Sequence, residues 1–178
     1  LKGDVLQENE DQKYREITQG KASYTDYPTA LAFLSKCLQK YHKKNVIILI
    51  DEYDVPLENA YFEGFYDKMI SFVRSLFESV LKTNTALEFA IITGCLRISR
   101  ESVFTDLNNL EVISVLNCEY SEYFGFTLPE IRGIMHYYGL DGKEQELKEW
   151  YDGYLFGNTE VYNPWSVLNY VKAAVVDF

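Results

Sequence analysis

The sequence predicts an α/β fold built on parallel strands, and three features predict it. Val46-Ile47-Ile48-Leu49-Ile50 is a continuous apolar run that passes straight into Asp51 and Glu52. Residues Tyr66, Met69, Ile70, Val73, Leu76, Phe77, Val80 and Leu81 then recur at helical spacing. Glu88-Phe89-Ala90-Ile91-Ile92-Thr93-Gly94 follows as a second apolar run. Strand, helix and strand in that order form a βαβ unit with parallel strands and a right-handed crossover. Both strands then end on one edge, so Thr93 ends its strand on the same edge as Asp51. An apolar run without polar alternation is expected to be buried on both faces of its sheet.

Before the first strand, residues 1–26 are polar, and Leu6, Tyr14 and Ile17 mark a marginal helix ending at Gly20. Gly20-Lys21-Ala22-Ser23 imitates part of a phosphate-binding loop. That loop needs Gly, four residues, then Gly-Lys-Ser/Thr. Arg15 stands at the first glycine and Ala22 at the hydroxyl, so the segment is rejected. Pro28 suits a helix first turn, and Ala30, Phe33, Leu34, Cys37, Leu38 and Tyr41 share one face. His42-Lys43-Lys44-Asn45 closes that helix with positive charge at its carbonyl end.

After the second strand, Asn108-Asn109 marks a turn before a third strand at Val112 to Leu116. Beyond Cys118 the pattern becomes helical. Thr127-Leu128-Pro129-Glu130 is a capping box opening a helix that ends at Gly139 and holds His136, expected to pack. Asp141-Gly142 turns into a helix through Trp150. An aromatic loop, Tyr151 to Gly157, precedes a last helix capped by Asn163-Pro164. Residues 1–118 therefore read as an α/β core and 119–178 as a small helical subdomain. Within it, Glu146-Leu147-Lys148 imitates the acid-x-Lys pair of metal-dependent nucleases, but a solvated helix face explains it more simply.

Open α/β sheets place ligand chemistry beyond the carboxyl ends of their strands. An acid there can hold Mg²⁺ through water, and a second acid can polarise an attacking water, as in a Walker B segment. The plainer alternative is a core strand ending in an acidic turn. Arg97 and Arg100, leaving the same edge, are the cations best placed to meet a phosphate; ordinary surface salt bridges are the alternative. The formal charge of −10 argues against non-specific binding of a nucleic-acid backbone. Three scattered cysteines and two histidines make neither a disulfide framework nor a zinc site. With no membrane-length apolar run and no signal-peptide layout, a soluble, cytoplasmic protein is expected.

Four stretches carry a resemblance that reaches further: IDEYDVPLENAY (residues 50–61), TGCLRISRESVF with TDLNNL (93–110), EYSEYFGFT (119–127) and WYDGYLFGNTEVYNPWSVLNY (150–170). In order and spacing they resemble the AAA-ATPase-like family, P-loop NTPases often joined to a nuclease-like domain of the PD-(D/E)XK type. The resemblance implies a partial P-loop NTPase sheet of AAA or STAND type, with flanking helices and a small helical lid. It implies Asp51 as the magnesium acid, Glu52 as the water-polarising acid, and Thr93 as the sensor of the γ-phosphate. Arg97 becomes a catalytic or interface arginine and Arg100 a further phosphate contact. The implied cofactors are ATP and Mg²⁺ in an intact parent protein, and none in this chain alone.

The family's arginine-rich phosphate loop has no match here, so the chain is expected to be an internal fragment. Its expected partner is the missing N-terminal phosphate-loop segment, or another chain supplying it. The missing strand would fill a gap between the strand ending at Thr93 and the one at Val112–Leu116. Self-association through the aromatic second half is a further expectation. Membrane contact is not expected, and nucleic acid only through an absent nuclease-like domain. Two alternatives stay open: a metal-dependent nuclease using Asp51, Glu52 and Asp54, and a non-catalytic interaction module.

Overall fold

The computed structural model describes residues 5–95, 103–104, 107 and 110–176. They form two compact units, Leu1–Leu110 and Glu111–Phe178. In the first, α1 (Glu8–Thr18) is opened by a capping box between Gln7 and Glu10 and buries no residue. A 3-10 turn at Tyr27–Thr29, begun by Pro28, leads into α2 (Ala30–His42). Lys43, in the left-handed region at φ 56°, stops α2. β1 (Val46–Ile50) follows, then α3 (Val55–Phe62) and α4 (Tyr66–Phe77), which runs on as one wide π turn through Lys82. β2 (Leu87–Ile92) completes the crossover and pairs parallel to β1, as the βαβ pattern predicts.

Ile48 and Ile50 of β1, with Ala90 and Ile92 of β2, pack on a core of Leu57, Ile70, Val73, Phe77, Val80 and Leu81. The opposite face does not meet the expectation of burial. Ile47 and Leu49 are 61% and 70% exposed, and Phe89 and Ile91 beside them are also open to solvent. The crossover helix packs on one face only, so a fully apolar strand is here half-covered.

The expected third strand at Val112–Leu116 is absent. Asn117 captures this backbone: its side-chain oxygen accepts the Ser114 N–H (2.9 Å) and hydroxyl (3.1 Å), and its own N–H donates to the Ser114 carbonyl (2.9 Å). A side chain that bonds nearby backbone competes with a strand ladder. The expected turn at Asn108-Asn109 lies outside the described residues.

The second unit is not purely helical. β3 (Phe126–Thr127), β4 (Tyr154–Phe156) and β5 (Thr159–Tyr162) form an antiparallel sheet in the order β3-β5-β4. The aromatic loop is thus the first arm of a β-hairpin, with Gly157-Asn158 as its two-residue turn. Three helices complete the unit: α5 (Leu128–Tyr137), α6 (Glu144–Trp150) and α7 (Pro164–Val176). The Thr127–Glu130 capping box forms, and the Asn163 side chain accepts the Trp165 N–H at 2.9 Å. Ile131, Met135, Leu147, Tyr162, Val167 and Val171 make a separate core. His136 does not pack: it is exposed and faces Asp141 at 3.0 Å, whereas Ile131 and Met135 of the same helix are buried.

Candidate functional site

The parallel pairing of β1 and β2 delivers Asp51, Glu52 and Thr93 to one edge. The ladder continues one step beyond the strands. Thr93 N–H donates to the Ile50 carbonyl at 2.8 Å, and Tyr53 N–H donates to the Thr93 carbonyl at 3.0 Å. The Thr93 hydroxyl donates to the Asp51 carboxylate. All three of these side chains are exposed. Glu52 sits in the left-handed region at φ 53°, unusual for a residue with a Cβ. Strained backbone of this kind gathers at functional positions.

Asp54 has a different role. It is 3% exposed, and its carboxylate Oδ2 accepts the Cys95 N–H at 3.0 Å. Its carbonyl accepts the N–H groups of Leu57 (3.0 Å) and Glu58 (2.9 Å), which starts α3. Asp54 therefore does not join Asp51 and Glu52 in a three-carboxylate cluster. Among the described residues, no group of three His, Cys, Asp or Glu could hold a metal ion. Asp54 and α3 were legible in part: Asp-Val-Pro, with proline in the first turn, is a helix-start pattern.

The edge fits a hydrated Mg²⁺, which keeps most of its waters and takes one or two carboxylates. Asp51 and Glu52 offer exposed carboxylates, and Thr93 orients the first of them. A triphosphate needs more, namely a cradle of backbone N–H groups and a lysine. Gly20-Lys21-Ala22-Ser23 cannot supply it. The N–H groups of Lys21 and Ala22 both donate to the Glu16 carbonyl, at 2.8 and 3.1 Å, closing the carbonyl end of α1. That end of a helix repels anions. Arg97 and Arg100 lie outside the described residues.

The acid-x-Lys pattern in α6 is structural. Leu147 is fully buried, and Lys148 faces Glu160 of β5 at 3.4 Å. Glu160 in turn accepts the Tyr162 hydroxyl at 2.9 Å. Tyr162 and then Glu160 push the Lys148 ammonium above its ordinary range. The group is a tie between helix and sheet.

Comparison with known proteins bears on the first unit most directly. The model of a family described as "Predicted AAA-ATPase" matches residues 4–104, which carry β1, the crossover, β2 and the acidic edge. A protein of Azotobacter chroococcum mcd 1, described as "Uncharacterized protein in vnfD 5'region", is 32% identical over 128 residues. That alignment covers 70% of this chain and 24% of that protein, so the chain spans about a quarter of this relative's length. No solved structure matches the chain. With residues 4–104 of 178 matched, the chain belongs to the predicted AAA-ATPase family.

Proposed function

We propose that this chain is part of a P-loop-type ATPase, whose parent protein binds and hydrolyses ATP with Mg²⁺ and uses the cycle to switch its domain arrangement. The observation that carries this reading is the hydrogen-bonded Asp51–Thr93 pair at the carboxyl edge of two parallel strands, inside the family match. Bound Mg²⁺ would neutralise charge on the nucleotide's terminal phosphates. Asp51 would hold Mg²⁺ through water, Thr93 keeps that carboxylate in place, and Glu52 would orient the attacking water. Arg97 and Arg100 meet the charge that develops on the phosphate. The phosphate cradle comes from residues outside this chain or from another chain. The chain alone neither binds nor hydrolyses ATP to a measurable extent.

Calorimetry with ATP and Mg²⁺ tests this, on the 178-residue chain and on a form extended at its amino end through a phosphate loop. Binding by the longer form alone, weakened at least about tenfold by Asp51→Ala, is the expected result. Binding by neither form would remove the ATPase reading.

A second reading, a protein-interaction module, is favoured by the exposed sheet face of Ile47, Leu49, Phe89 and Ile91 and by exposed Tyr123, Tyr137 and Trp165. Large exposed apolar surface marks interaction sites. Sedimentation at rising concentration would show self-association if this reading holds, and a constant monomer mass if it does not.

A further inference from the structure

We propose that Asp54 is the positioning residue of the acidic edge: its buried carboxylate clamps the turn leaving β2 to the turn leaving β1, and so sets Asp51 against Thr93. This rests on the reading of that edge as the place where Mg²⁺ and nucleotide meet.

The Asp51–Thr93 bond joins two exposed side chains, and water competes for both partners. Such a bond does not by itself hold two loops in register. The Asp54–Cys95 bond lies just behind it, with the acceptor shielded from solvent. A carboxylate accepting a backbone N–H makes a stronger bond than a neutral pair, and low local dielectric strengthens it further. Between the two side-chain bonds runs the backbone bond from Tyr53 to Thr93. Three cross-links therefore tie Asp51–Asp54 to Thr93–Cys95.

Gly94 shows how tightly the two turns are pressed together. A Cβ there would lie 2.6 Å from Asp54 Oδ1 and 2.6 Å from the Tyr53 ring. The Tyr53 ring has little room to yield, because it packs against Phe77 and Phe104 with centroids 6.2 and 5.2 Å away. Glycine is thus required for close approach rather than for its backbone angle. Asp54 is itself anchored, since its carbonyl starts α3 and the α3 residues Leu57 and Ala60 are fully buried.

Two measurements decide the matter. On the 178-residue chain, NMR would follow Cys95 amide exchange and the Asp51 carboxyl carbon shift. Asp54→Ala should lower Cys95 protection at least about tenfold and move the Asp51 signal to its position in Thr93→Val. Asp54→Asn keeps an acceptor oxygen and should retain most of the wild-type behaviour. Gly94→Ala should mimic Asp54→Ala, and the double variant should go no further than either. Amides of β1 and α3 report that the fold is intact; if Asp54→Ala does not fold, Asp54→Asn and Gly94→Ala carry the test. An Asp51 signal unmoved in Gly94→Ala, or in a folded Asp54→Ala, overturns the proposal.

In a nucleotide-binding longer form, Asp54→Ala should raise the Mg²⁺ needed for half-maximal ATP binding about tenfold, with Mg²⁺-free ATP binding unchanged. An unchanged Mg²⁺ requirement also overturns the proposal. Failure of the unsubstituted longer form to bind ATP overturns the ATPase reading instead, and the NMR result then decides the clamp alone.

Discussion

Glu52 is held at φ 53°, a conformation that costs a residue with a Cβ roughly 1 kcal/mol. Among the described residues the Glu52 side chain makes no hydrogen bond, and the proposed role in orienting water would account for a glutamate here. Glu52→Gly should therefore stabilise the fold by about 1 kcal/mol in urea denaturation, at the expense of any activity. A loss of stability would mean that Glu52 contributes to the fold and not to chemistry. Tyr170, in the second core, is displaced in another way. Burial first, and then the Glu146 carboxylate, push its phenol up to about 12. Its folded value lies above the unfolded value near 10, so the folded state holds the proton longer. Its contribution to stability is complete below about pH 10 and is lost as pH rises through about 12. Ultraviolet titration should find a tyrosine ionising near pH 12, a component lost in Tyr170→Phe. The cysteines divide likewise: burial raises the Cys37 thiol, whereas Cys95 and Cys118 are exposed. A thiol reagent should modify two cysteines in the native chain and the third only on unfolding.

At the scale of elements, the best-read parts were those where several signals agreed. β1, α4 and β2 combine period, length and order, and the parallel pairing follows from that order. The Thr127–Glu130 box and the Asn163-Pro164 start were legible because caps are local chemistry. The failures have a physical cause too. Val112 to Leu116 has the composition of a strand, but Asn117 supplies a local alternative that a window of apolar residues does not register. The β4–β5 hairpin was hidden by reading Gly157 as loop punctuation. Its two-residue Gly-Asn turn between Tyr-Leu-Phe and Thr-Glu-Val-Tyr was the available signal. Gly157 is at φ 53°, and a Cβ there would lie 2.5 Å from the Asn117 carbonyl oxygen. Gly157→Ala should cost the second unit more than about 2 kcal/mol, seen as faster exchange at Tyr154–Phe156 and Thr159–Tyr162. Unchanged exchange there would contradict this account of the turn.

At the scale of the molecule, two separate cores mean two separately disturbed structures. Leu57 belongs to the first and Leu147 to the second, and both are fully buried. Leu147→Ala should lower stability by about 2–5 kcal/mol as reported by amides of residues 111–176, and leave the β1 and β2 amides unchanged. Equal loss in both units would mean that they unfold as one. The acidic edge was legible as a whole because strand order places it, while the clamp behind it was not. Asp54 and Cys95 lie far apart in sequence, and nothing in a single chain pairs a buried acid with one backbone N–H. The proposal that this edge serves a hydrolysed nucleotide meets its decisive test in ATP turnover by a longer, nucleotide-binding form carrying Glu52→Gln. ATP binding should persist while phosphate release falls at least about a hundredfold. Turnover at the unsubstituted rate, with binding intact, would contradict it.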